Sequence, residues 1–275
     1  MKKLILKIVA VAFLAFFGGA YFFTESYFNQ MGLLKLTWNG VKEKHESGIQ
    51  YFEKNECMIG EPCQCVLLLH GLADTIMTWQ NTFGLDSSQF ATPVHLFAPN
   101  MPGSMDSRYL PAKADYNVQN IARLLGSTFL PKCESWLVVG NSMGGWMSVY
   151  VALQNPSVVK GLLLLDPAGL KKDYSHILGF FINPTITEAK NFYRLTYAKP
   201  LPLPDFVFNR LVARLKRLPV KEQLQSMTKK DYLDDKLPQL KIPVTYIWGE
   251  TDGVIPTAWA KDYEAITPNA ELKIL

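Results

Sequence analysis

At 275 residues, 48% of them hydrophobic, the chain is long enough to bury the core of one α/β domain with an insertion, and it contains no repeat or low-complexity tract. Its formal net charge of +4 is small for that length and excludes nucleic acid as a default partner. The charge is unevenly spread: residues 170–232 hold 12 Lys/Arg against 5 Asp/Glu, so the remainder of the chain is slightly acidic.

Taken from the start, Lys2, Lys3 and Lys7 flank an apolar run over residues 8–23, near the lower length limit for a membrane span. The aromatic residues Tyr21, Phe22, Phe23, Tyr27 and Phe28 favour an uncleaved anchor, because an aromatic belt holds a helix at the interface. Gly18-Gly19-Ala20 offers a cleavage site for a secretory signal instead. Residues 1–30 are therefore expected to be a signal-anchor or signal peptide. The lysines are expected to stay cytoplasmic and the rest of the chain to be periplasmic or extracellular, tethered to the membrane or secreted.

Four cysteines follow, and a disulfide from Cys57 to either Cys63 or Cys65 suits export. A zinc site at Cys63-Gln64-Cys65 lacks ligand spacing and a nearby histidine. Residues 41–54 alternate around Ser47-Gly48 and read as a hairpin with His45 facing solvent. Short apolar runs at 66–69, 94–98, 136–139, 161–165 and 244–248 read as strands buried on both faces. Helical patterns at 116–130, 143–153 and 257–266 lie between them. The alternation predicts a mostly parallel sheet covered by helices on both faces, with ligands bound beyond the carboxyl ends of the strands.

Residues 170–232 break the rhythm and read as a helical cap inserted between the two core segments, 31–169 and 233–275. Phe208, Leu211, Val212, Leu215 and Leu218 fall on one helical face, with Arg210, Arg214 and Arg217 on another. That pattern suits either a lid touching a membrane surface or an ordinary cap with solvated arginines.

The stretch Gly140-Asn141-Ser142-Met143-Gly144-Gly145 joins a strand to a helix as G-x-S-x-G, the context in which a sharp turn exposes a serine hydroxyl. Ser142 is the candidate nucleophile. Backbone N–H groups of Met143, at the helix start, and of Leu72, after His70-Gly71, are the candidate oxyanion donors. His70, at a strand end, is expected to orient that loop rather than to act as base. Asp252, in a loop after a strand and downstream of the serine, is the candidate acid, and Asp166 is the alternative. A base should follow the acid, yet His45, His70, His95 and His176 all precede Asp252. The sequence ends within what reads as a strand over residues 271–275 and looks truncated there, so the base is expected just beyond that strand. His176 is the only substitute, and with neither the protein would be a catalytically dead, membrane-tethered binding protein.

These residues resemble the α/β-hydrolase superfamily over residues 40–275. His70-Gly71 with Trp79, Met101-Pro102-Gly103, the serine turn, Leu165-Asp166-Pro167-Ala168-Gly169 and residues 248–256 carry the likeness. Within it, Asn141-Ser142-Met143-Gly144-Gly145, Phe192-Tyr193, Lys199-Pro200 and Leu203-Pro204 resemble bacterial lipases and monoacylglycerol lipases. The resemblance implies hydrolysis of lipid or small esters through an acyl-serine, with no metal or organic cofactor. Ser104-Met105-Asp106 departs from the residues usual after Pro-Gly. The same serine turn also occurs in carbon–carbon bond hydrolases of ring-fission products, the second reading. A serine nucleophile disfavours dehalogenases and epoxide hydrolases, which place Asp there.

Overall fold

Apolar runs of four to six residues, punctuated by turn residues, have only one way to bury both faces: as inner strands of a helix-covered sheet. The computed structural model describes residues 36–275 apart from 38, 59–61, 86–90 and 106, and it has that arrangement. The hairpin forms from β1 (Lys42–Glu46) and β2 (Ile49–Asn55) across Ser47 and Gly48, both at positive φ, with His45 exposed. This backbone lets a two-residue turn follow the strand twist.

The other strands are β3 (Gln64–Leu69), β4 (Val94–Pro99), β5 (Trp136–Asn141), β6 (Val159–Leu165), β7 (Val244–Trp248) and β8 (Ala270–Ile274). The sheet order is β1-β2-β4-β3-β5-β6-β7-β8, antiparallel from β1 to β4 and parallel from β4 to β8. Among the described residues, the α-helices of seven residues or more are α1 (Val118–Phe129), α2 (Met143–Gln154), α3 (Ser175–Ile182), α4 (Ile186–Thr196), α5 (Asp205–Leu215), α6 (Val220–Ser226) and α7 (Ala260–Ile266). Alternate residues of one strand enter opposite cores. Leu67 and Leu69 pack with Met147 and Val151 of α2, whereas Val66 and Leu68 pack with Trp79 and Phe83. Strand β3 therefore sits at the switch point, with β4 on one side and β5 on the other.

Between β6 and β7 the chain makes α3 to α6 around a separate apolar cluster that includes Phe180, Phe208 and Leu211. The base of this insert is closed by the Leu233 N–H donating to the Gly169 carbonyl at 2.8 Å. One expectation is corrected here. Arg214 does not share a solvated face with Arg210 and Arg217: it is buried, while those two are exposed. Val207, Leu211 and Arg214 stand at i, i+4 and i+7, so helix geometry puts Arg214 on the packed stripe.

Cys57 pairs with Cys63, and Cys65 with Cys133 across 68 residues of sequence. The longer closure removes more freedom from the unfolded chain, about 4 kcal/mol against about 2 for the shorter on the chain-entropy model. The apolar run at 8–23, expected to be a signal-anchor, lies outside the described residues. Among those described, no helix is long and apolar enough to cross a membrane.

Candidate active site

Strand β5 ends in a turn that only glycine permits. A Cβ on Gly140 would lie 2.3 Å from the Gly144 carbonyl oxygen, and one on Gly144 would lie 2.1 Å from that of Leu69. Ser142, between them, has φ 52° and ψ −118°. For a non-glycine residue this costs about 1–3 kcal/mol and survives only where surrounding bonds hold it. They do: the Ser142 N–H donates to the Leu165 carbonyl at 3.0 Å, and the Ser142 carbonyl accepts from Ala168 N at 3.0 Å and Trp146 N at 3.2 Å. The serine is bolted to the end of β6, with its side chain pointing into a cavity.

The loop after β3 reaches the same point. A Cβ on Gly71 would sit 3.4 Å from the Ser142 Cβ. His70 braces this loop: its Nε2 accepts from the Met101 N–H at 3.0 Å, which leaves Nδ1–H to donate to the Gly71 carbonyl at 2.8 Å. Burial lowers its pKa to about 4, so it stays neutral, and its one lone pair is already taken by the Met101 N–H. The N–H groups of Leu72 and Met143 have no hydrogen-bond acceptor among the described residues, and both residues line the cavity. Met143 also opens α2, where the helix dipole favours negative charge.

Asp252 follows β7 and lines the same cavity. Its Oδ1 accepts from Val254 N at 2.8 Å and Ile255 N at 3.0 Å. The loop is pinned from behind by Trp248 Nε1–H on the Ile255 carbonyl at 2.8 Å. Asp166 follows the neighbouring strand β6 at φ 41°, is buried, and accepts from Gly249 N at 2.9 Å. Asp252 meets it around Gly249, whose carbonyl accepts from Asp252 N at 3.2 Å, so the two carboxyl groups lie against each other. Both acids singled out from the sequence thus arrive at one place.

The cavity is about 570 Å³ and mainly apolar; residues of the insert, including Phe180, Phe192, Tyr197 and Leu211, form much of its wall. No histidine lines it among the described residues. His176 is exposed on α3, with its Nε2 at 3.0 Å from the Val254 carbonyl, beside Asp252 but off the cavity wall.

Asp74, which the sequence reading passed over, lines the cavity beside the Gly71 loop. Its oxygens accept from Thr75 N at 2.7 Å and from the Thr78 hydroxyl. The signal available in sequence was a lone acid four residues after His70, too common to single out. Burial pushes its carboxyl up to about 6 from 3.8. The folded state therefore holds a proton that the unfolded chain releases, and stability falls as pH rises between about 4 and 6. Relative to wild type, Asp74→Asn is expected to recover up to about 3 kcal/mol at pH 7 and almost nothing at pH 4, as read by urea unfolding across that range.

Cys65, His95 and Cys133 bring possible metal ligand atoms within 4.8 Å of one another. Both thiols are spent in the disulfide and His95 is bonded to Glu53 at 2.6 Å, so this group fits no metal as it stands.

A strained serine between two glycines, two amides without an acceptor among the described residues and an acid in the loop after a later strand, all at the carboxyl edge of a doubly covered sheet, define a hydrolase architecture. The chain belongs to the alpha/beta hydrolase family, whose model matches residues 66–275. Among its relatives, Lipase 1 of Psychrobacter immobilis is 28% identical over 237 residues, covering 80% of this chain and 71% of the lipase. The 2-hydroxy-6-oxononadienedioate/2-hydroxy-6-oxononatrienedioate hydrolase 1 of Dechloromonas aromatica is 24% identical, covering 80% of this chain and 81% of its own. A crystal structure of a membrane phospholipase A superposes with a TM-score of 0.71 at 19% identity, over 100% of this chain and 91% of that one. At that identity the last likeness speaks for the fold alone.

Proposed function

We propose that the protein hydrolyses carboxylic esters with apolar acyl chains, acylglycerols or related lipid esters, with Ser142 as nucleophile and Asp252 as the acid that orients the base. The observation that carries this reading is the convergence of Ser142, the Leu72 and Met143 amides and Asp252 on one largely apolar cavity. Attack of the Ser142 Oγ on the ester carbonyl carbon produces a tetrahedral oxyanion, whose charge the two N–H groups and the start of α2 stabilise. Collapse expels the alcohol and leaves the acyl group on Ser142. Water then attacks the acyl carbon and the acid departs, so no metal or organic cofactor takes part.

Both halves move a proton through a base standing between Ser142 and Asp252. An imidazole in that gap is thus a requirement of the reading, and free imidazole can test it. The 275-residue chain is expected to hydrolyse a chromogenic medium-chain ester slowly and to accelerate saturably with added imidazole. Ser142→Ala should register only the background reaction of imidazole itself. Identical rates for the two proteins at every imidazole concentration would sink the ester reading.

The Dechloromonas relative favours carbon–carbon hydrolysis of a ring-fission product as the second reading. The cavity wall is mainly apolar, with Asp74 and Asp252 on it, which suits an apolar acyl chain better than a doubly anionic substrate, and this ranks the ester first. Assays of both substrate types on one preparation separate the two. Two disulfides support an oxidising compartment for the domain. Exposed Leu201 and Phe206 on the insert, with Arg210 5.8 Å from the Phe206 ring centre, support contact with a lipid surface.

A further inference from the structure

Asp166 and Asp252 stand on the loops after neighbouring parallel strands, where Leu165 and Ile247 are in register, and both bond to Gly249, whose N–H donates to Asp166 at 2.9 Å and whose carbonyl accepts from Asp252 N at 3.2 Å, so the two carboxyl groups lie against each other. Two ionised carboxylates offer only acceptors, so this contact contains a proton. Its location follows from the remaining partners. Asp252 receives two backbone N–H groups on Oδ1, which favours its anion. Asp166 receives one, from Gly249, also on Oδ1, and is buried. A carboxylic acid at 166 satisfies every partner: Oδ1 accepts from Gly249 and Oδ2–H donates to Asp252.

We propose that Asp166 is a positioning residue for the hydrolysis described above: as a neutral acid it donates to the Asp252 carboxylate, fixing the orientation of the group that in turn orients the base. The inference rests on that reading for its catalytic consequence, while the protonation state is argued from the placement of the two carboxyls and their unequal backbone donors. Burial and the Asp252 charge both hold the Asp166 carboxyl well above the ordinary carboxylate range. Burial raises Asp252 too, while its two backbone donors, Asp166 and the nearby His176 on α3 favour its ionised form. Lys172, Asp173 and Tyr174, between β6 and α3, are the other ionisable groups on that side of the cavity, and Lys172 is paired with Asp262 at 2.6 Å.

The experiment pairs an activity profile with an optical readout on the same proteins. Asp166→Asn keeps the shape, an acceptor for Gly249 and a donor for Asp252. In the imidazole-supplemented assay it is expected to hold kcat and KM within about threefold of wild type while losing any alkaline limb of the pH profile, since no proton remains to be released at 166. Asp166→Leu is expected to lower kcat by about 10–100-fold at unchanged KM, and Asp252→Asn to lower it further. Infrared spectra of aspartate-labelled protein at pH 8 should contain a protonated-carboxyl band that Asp166→Asn removes. Loss of turnover in Asp166→Asn as complete as in Asp252→Asn, or an unchanged band, overturns the proposal. Should even wild type hydrolyse no ester, the function proposed above fails and the positioning role with it, while the band still decides where the proton resides.

Discussion

Ser142→Ala is expected to abolish covalent labelling by a fluorophosphonate ester analogue, and to lower kcat/KM for esters by about 10⁴-fold or more whenever an imidazole occupies the gap beside Asp252. The effect is conditional for a physical reason. Nucleophile, base and acid act as one unit, so the contribution of the serine is seen in full only with a base in place. For the 275-residue chain, the rates of wild type and variant should separate as imidazole is raised to saturation. Substrate binding should survive, because the cavity wall is made by Phe180, Phe192, Leu211 and their neighbours and loses only one hydroxyl. Mass spectrometry of the labelled chain locates the modification. A label on any residue other than 142 would remove the nucleophile from the mechanism.

Gly144→Ala is expected to have the largest effect on the fold of any single-methyl change in the site. The added carbon would lie 2.1 Å from the Leu69 carbonyl oxygen and 2.7 Å from that of His70, both backbone atoms of a buried strand end. Neither can swing away as a side chain would, so β3 and α2 must separate. Overpacking in rigid surroundings costs about 1–3 kcal/mol and occasionally more, and this contact belongs at the upper end. The same displacement carries the Met143 N–H away from Ser142, adding a loss of about 10²–10³ in rate, the usual consequence of removing one oxyanion donor. Gly249→Ala provides the comparison: its Cβ meets nothing nearer than the Asp252 Cβ at 3.7 Å, an ordinary contact. Urea unfolding of the two variants should therefore give a large shift for the first and a small one for the second. Equal shifts would mean that the elbow is not held by backbone contact.

Much of this architecture was legible before any coordinates. Runs such as Val66 to Leu69 are apolar at every position, and only a strand buried on both faces uses residues that way. The serine turn was legible because its glycines answer a local steric demand, which spacing records directly. Tertiary structure alone decided matters that depend on distance across the chain. It paired Cys65 with Cys133 and so left Cys57 to Cys63. It buried Arg214, which a helical wheel drawn without its neighbours had put in solvent. It brought Asp166 against Asp252, 86 positions apart in sequence, and enclosed Asp74 beside the serine. Periodicity reports which face of an element is apolar, whereas the protonation and partners of a carboxyl depend on what lies across a gap of a few ångströms, and that is set only when the strands are assembled.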